Sequence, residues 1–327
     1  MIIKKRASGF TLVEIIVALA ILTLISAFML NALGPWLSFK QKIDNDRKLM
    51  EVKTIFTTIY ERNAWSVETN AGAVFTFSGG VLANSPMNGN ICVSQLAVLS
   101  GLSQYFSDGL PAGEQDGFGS PFCFLISPQL SQNMNGSTLY YHNIAVVSMG
   151  RDGKKNAGTA IDAATGALTL AGDDSGVLIN GFAVQSRKYV ETAARLDRVA
   201  KAYGQYFTTR FLANPSRDVY IDYFAQGNPA GNWDGTVPGA SVWGTQGTFQ
   251  DIYAHLGILG LSPEDGRSAW ESNNTMYVGN YDETVPGTTV TVRSSAGGVA
   301  PPYTAVLYAP LPGPAGTNLI KTVMGAY

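Results

Sequence analysis

Few residues of this chain have the types and spacing to do chemistry. There are two histidines, His142 and His255, far apart in sequence, so a serine or cysteine nucleophile with a histidine base has little support. His142 stands within Tyr140-Tyr141-His142-Asn143-Ile144, which reads as a strand and gives the imidazole a packing role. The paired glycines Gly172/Gly176, Gly227/Gly231 and Gly235/Gly239 lack the strand-to-helix setting and the lysine of a phosphate cradle and read as turns. Asp173-Asp174 reads as a polar turn without an ion, and no set of histidines, cysteines and carboxylates has zinc spacing. These patterns point away from an enzyme. One carboxylate is nevertheless out of place. Glu14 is the only charged residue between Phe10 and Leu33, and a carboxylate near a membrane centre costs about 2.5 to 3.5 kcal/mol on insertion scales. It asks for a partner.

The element that must position Glu14 is a helix. Residues 10–33 read FTLVEIIVALAILTLISAFMLNAL, long enough at about 1.5 Å per residue to cross a bilayer core. Lys4, Lys5 and Arg6 precede the run and read as its cytoplasmic flank. A cleaved secretory signal has a shorter apolar region ending at a small-residue site, and a plain anchor gives Glu14 no purpose. Gly34-Pro35 is expected to interrupt and kink the helix, with Trp36 at the interface. Beyond it, Leu49, Val52, Phe56 and Ile59 recur at spacings of three, four and three, an apolar stripe fit to pack on a sheet.

Gly9-Phe10-Thr11-Leu12-Val13-Glu14, behind its short basic leader, resembles the processing site of type IV prepilins and type II secretion pseudopilins. The resemblance implies that a prepilin peptidase cuts after Gly9 and that the new amino terminus, Phe10, is N-methylated. The Phe10 amine of one subunit then pairs with Glu14 of a neighbour, because either charge alone is costly in low dielectric. The implied partners are prepilin peptidase, other pilin subunits bound through the N-terminal helix, and an inner-membrane assembly platform. The implied location is the inner membrane, with a single pass and a periplasmic head, and later a pilus or pseudopilus.

The rest of the chain reads as α+β. At 327 residues, with 46% apolar and 14% charged side chains, it has material for two folded units. Residues 187–212 form the second helical stretch, where Leu196, Val199, Tyr203 and Tyr206 repeat the three, four, three spacing. Strands are expected at 73–77, 139–147, 288–292 and 303–309. The parallel order of features suggests tandem pilin-like heads: 1–9 leader, 10–62 N-terminal helix, 63–185 first head, 186–327 second head. Cys92 and Cys123 lie beyond the membrane segment, where a disulfide closing that loop would contribute roughly 3 to 4 kcal/mol; two buried thiols are the other reading.

The runs Asp116-Gly117-Phe118-Gly119-Ser120-Pro121-Phe122 and Ser148-Met149-Gly150-Arg151-Asp152-Gly153 resemble the major pseudopilins of type II secretion, whose second loop binds calcium. Carried over, Asp152 matches the first aspartate and Asp162, more loosely, a later one. Lys154 and Lys155 depart from that pattern and oppose a cation, which needs about six to eight oxygen ligands. A solvated Asp-Gly turn is the competing reading, and no cofactor is required.

The function implied is a structural filament subunit, a minor pilin or pseudopilin. The alternative is a filament-tip binding, adhesion or DNA-uptake subunit that uses the C-terminal head, where Trp233, Trp243 and Trp270 are either core or recognition surface. A net charge of -2 does not suggest a nucleic-acid binder.

Overall fold

The computed structural model describes residues 11–69, 75–77, 80–82, 115–224, 250–252, 256–270, 275–279, 284–293, 300–313 and 317–327. Helix α1 (Leu12–Arg62) begins at the Thr11 cap and runs unbroken through Pro35. The interruption expected at Gly34-Pro35 is therefore absent: proline forfeits one backbone bond, while the bonds on either side keep the helix going. α1 ends at Asn63, whose amide donates to the Ile59 and Tyr60 carbonyls, and whose side chain donates to Ile59. A short α2 (Ala64–Thr69) follows, then a small hairpin of β1 (Phe75–Phe77) and β2 (Gly80–Leu82).

The first main sheet is antiparallel, in the order β3 (Cys123–Ile126), β6 (Ile144–Ser148), β9 (Ser175–Ile179). Strand alternation divides its side chains between two layers. Phe122, Phe124, Ile144, Val146 and Ile179 share one core with Leu49, Val52, Phe56 and Ile59 of α1, and Phe56 stacks on Phe124 with ring centroids 5.0 Å apart. Cys123, Leu125, Ala145 and Val147 turn the other way, onto Ile161. Two further hairpins flank the sheet, β4 (Leu130–Met134) with β5 (Ser137–Tyr141), and β7 (Ala160–Ile161) with β8 (Leu168–Thr169). The single strand expected over 139–147 is thus two strands, β5 and β6, and they lie in separate sheets. His142 and Asn143 form the connection between them.

Helix α3 (Gly181–Ala213) is capped by Asn180, whose side chain accepts from the Ala183 amide. It starts six residues before the stretch read as helical, because the Asn180-Gly181 cap carries no apolar periodicity. Its first turns belong to the first core through Val184 and Tyr189. Its later turns, through Leu196, Val199, Tyr203, Phe207 and Phe211, cover a second antiparallel sheet. That sheet has the order β10 (Gln250–Asp251), β11 (Tyr277–Gly279), β12 (Thr304–Pro310), β13 (Asn318–Met324). Residues 288–292 form no regular strand; they fold back on the preceding turn, with the isolated bridge Thr284 to Thr291 and the Val285 amide donating to the Val290 carbonyl. The architecture is α+β, a long apolar N-terminal helix followed by antiparallel sheets each covered by a helix. The boundary expected between 185 and 186 falls inside α3.

Candidate membrane and assembly segment

The first turn of α1 follows from a Thr-x-x-Glu pattern, in which each end of the pair satisfies a backbone donor of the other. The Thr11 hydroxyl accepts from the Glu14 amide at 3.3 Å, and the Glu14 carboxylate accepts from the Thr11 amide at 2.8 Å and its hydroxyl at 2.9 Å. Both donors go to Oε2. A carboxylate here also opposes the positive end of the helix dipole. Gly9 and Phe10 lie outside the described residues, so the structure brings Glu14 to Thr11 and leaves the Phe10 amine unplaced.

From Leu12 to Met29 the helix buries nothing. Leu12, Val13, Ile16, Leu19, Leu22, Leu24 and Phe28 are exposed over half their surface or more. Leu49, Val52, Phe56 and Ile59 of the same helix are at most 3% exposed. Among the described residues, α1 is the one helix long and apolar enough to cross a membrane. Water does not tolerate an apolar helix bare on every side; a bilayer or neighbouring helices do.

In the head, the two motif runs meet. Asp116 is buried, its Oδ1 accepting from the Phe118 and Ser120 amides and its Oδ2 from the Ser148 hydroxyl at 2.6 Å. Gly117 lies so close to α1 that a Cβ would overlap the Gln41 carbonyl and Asn45. Its amide donates to the Asn45 side chain, and Lys48 reaches the Asp116 carbonyl. The loop after β6 is held by carboxylates that take backbone amides. Asp173 accepts from Arg151 and Asp152, and Asp174 accepts from Asn156. This role of Asp173 and Asp174 was not readable from their acidic turn, since their partners lie about twenty residues back.

Asp152 and Asp162, the calcium candidates, each close a local turn. Asp152 accepts from the Lys154 amide, and Asp162 accepts from the Ala164 and Thr165 amides and the Thr165 hydroxyl. The Thr165 hydroxyl and these amides hold the Asp162 carboxyl below the usual range. Among the described residues, no group of three or more histidines, cysteines or carboxylates is placed to hold a metal ion.

The sequence assigns His142 a packing role within a strand; in the structure it stands between two strands, in a buried polar cluster. Its Nδ1 lies 2.9 Å from Glu68 Oε2, and its amide donates to Glu68 Oε1 at 3.1 Å. Tyr60 donates its hydroxyl to the same carboxylate, and Gln129 donates from its side chain. His142 Nε2 is buried without a hydrogen-bond partner among the described residues. Burial, and next the Glu68 charge, push the Tyr60 phenol well above its ordinary value. His255, Cys92, Trp233 and Trp243 lie outside the described residues, and Trp270 is core, 2% exposed.

Residues 4–30 match the family model for the prokaryotic N-terminal methylation motif. No curated protein and no solved structure matches the chain. Motifs of this kind mark substrates of prepilin peptidase, and the helix behind this one is long and apolar enough to cross a membrane. With this motif at residues 4–30 and a bare apolar helix behind it, the N-terminal segment of the chain is similar to that of type IV pilin-like proteins.

Proposed function

We propose that the protein is a structural subunit, a minor pilin or pseudopilin, of a type IV pilus or a type II secretion-like filament. The observation that carries this reading is the methylation motif on a helix whose outer half is bare and whose inner half buries one apolar stripe against the head. Prepilin peptidase cuts after Gly9, Phe10 becomes the methylated terminus, and residues 10–33 hold the subunit in the inner membrane with the head in the periplasm. On assembly the Phe10 amine of one subunit pairs with Glu14 of its neighbour. Until then the Thr11 capping bonds reduce the cost of the carboxylate in the membrane.

The heads, 63–185 and 186–327, are read as tandem pilin-like units; two antiparallel sheets, each with its own long helix, support this. Cys92 and Cys123 are read as a disulfide pair, supported by a Cys123 that is buried and not free. A calcium ion at Asp152 and Asp162 rests on sequence resemblance alone.

The test of assembly is Glu14→Ala in cells that make the filament. Breaking a buried pair costs about 3 to 5 kcal/mol, so incorporation into sheared filaments should collapse while membrane insertion and leader cleavage stay intact. Normal incorporation of the variant contradicts the pairing. Immunogold labelling confined to filament ends is the pattern expected of a minor subunit, and labelling along the shaft contradicts that part of the reading.

A further inference from the structure

Among the described residues, Trp270 heads the fully buried side chains by volume. It is carried by the segment that joins the 3-10 turn Pro263–Gly266 to β11, on the side of the second sheet. Its ring nevertheless lies in the first core, with Tyr60, Ala64, Val184 and Tyr189. The indole N–H donates to Gln185 Oε1 at 2.5 Å. Gln185, fully buried, uses its own amide group to donate to the Ala64 carbonyl at 3.0 Å and the Tyr60 oxygen at 3.4 Å. Tyr60 in turn donates to Glu68. A single chain of hydrogen bonds therefore runs from the second unit, across α3, to the α1–α2 corner.

The segment carrying Trp270 is tied along one face of α3. Lys188 donates to the Ala269 carbonyl, Thr192 accepts from the Ala269 amide, and Arg195 donates to the Glu264 and Arg267 carbonyls. With Gln185 these residues are spaced three, four and three apart, which puts them on one side of a helix. One turn before Gln185 on the same face, α3 begins so close to His142 that a Cβ on Gly181 would overlap the His142 carbonyl and the Tyr60 hydroxyl. Each link from Trp270 through Gln185 and Tyr60 to Glu68 is made, and a buried polar chain so supplied is rigid.

We infer that Trp270 is a latch by which the second unit fixes the end of the shaft helix. With the indole seated, Gln185 is held on Tyr60 and Ala64, and the corner carrying Glu68 is locked. With the indole withdrawn, Gln185 loses its donor and the corner opens locally, loosening the attitude of the heads on α1.

Hydrogen exchange of the full chain in detergent micelles, read by mass spectrometry, tests this. Trp270→Phe keeps an aromatic filler and removes the N–H. Amides of 64–69 should exchange on the order of tenfold faster in this variant, since an orphaned buried acceptor promotes local opening. Val278→Ala, which loosens the second sheet away from the latch, should leave them at the wild-type rate. Acceleration confined to 264–270, or equal acceleration by Val278→Ala, overturns the latch. Should Trp270→Phe open the whole chain, Thr192→Val frees the Ala269 amide without changing core volume. It should accelerate 64–69 by a smaller factor, and unchanged exchange there also overturns the proposal.

Discussion

Glu68 is fully buried and takes hydrogen bonds from the Tyr60 hydroxyl, the His142 amide and the Gln129 side chain, with the His142 ring beside it. A carboxylate so supplied is compatible with an apolar core; its partners are not compatible with its loss. Glu68→Ala is expected to cost about 3 to 5 kcal/mol, measured by denaturant unfolding of the detergent-solubilised chain. Tyr60 adds a pH dependence. Burial and the adjacent carboxylate raise its phenol well above the ordinary value of 10.0, so the folded state holds a proton that the unfolded state releases. The stabilisation is complete below the unfolded value and is lost as pH rises towards the folded one. Stability should therefore fall above about pH 10, and Tyr60→Phe should make that alkaline decline shallower. An equally steep decline in the variant would show that Tyr60 does not contribute to it.

At the scale of elements, α1 lives in two environments. Its outer part shows apolar side chains on all sides, while its inner part has one apolar stripe and a polar remainder. The stripe was legible because Leu49, Val52, Phe56 and Ile59 keep a period of 3.6, and all four are buried against the sheet. Phe56→Ala should cost about 3 to 5 kcal/mol, read from the same denaturant transition. The beginning of α3 was not legible, because Asn180-Gly181 acts through a cap and not through periodicity. Asn180→Ala should cost about 1 kcal/mol and fray the first turn, visible as faster amide exchange near Ala183. The break between β5 and β6 was equally hidden. Asn143 is a weak strand former among strong ones, and the groups that hold the connection lie far off in sequence: Glu68, 74 residues before His142, takes the His142 amide, and the Asn143 side chain binds Gly166 and Gly181.

At the scale of the whole molecule, a bare apolar helix leads into two antiparallel sheets joined by α3, with Trp270 of the second unit seated in the core of the first. The processing motif was readable because it is local: six consecutive residues and a leader suffice. The two head motifs were visible as runs of sequence, whereas the meeting of Asp116 with Ser148 is seen only in the fold. The Trp270–Gln185–Tyr60–Glu68 chain left no trace in sequence, since each link joins a different element. The account depends most on what happens at Gly9. Intact mass and N-terminal sequencing of the membrane-extracted protein address it directly. The expected result is a chain that begins at Phe10 and carries one N-terminal methyl group. A chain that retains residues 1–9, or one cut beyond the apolar segment, would contradict it.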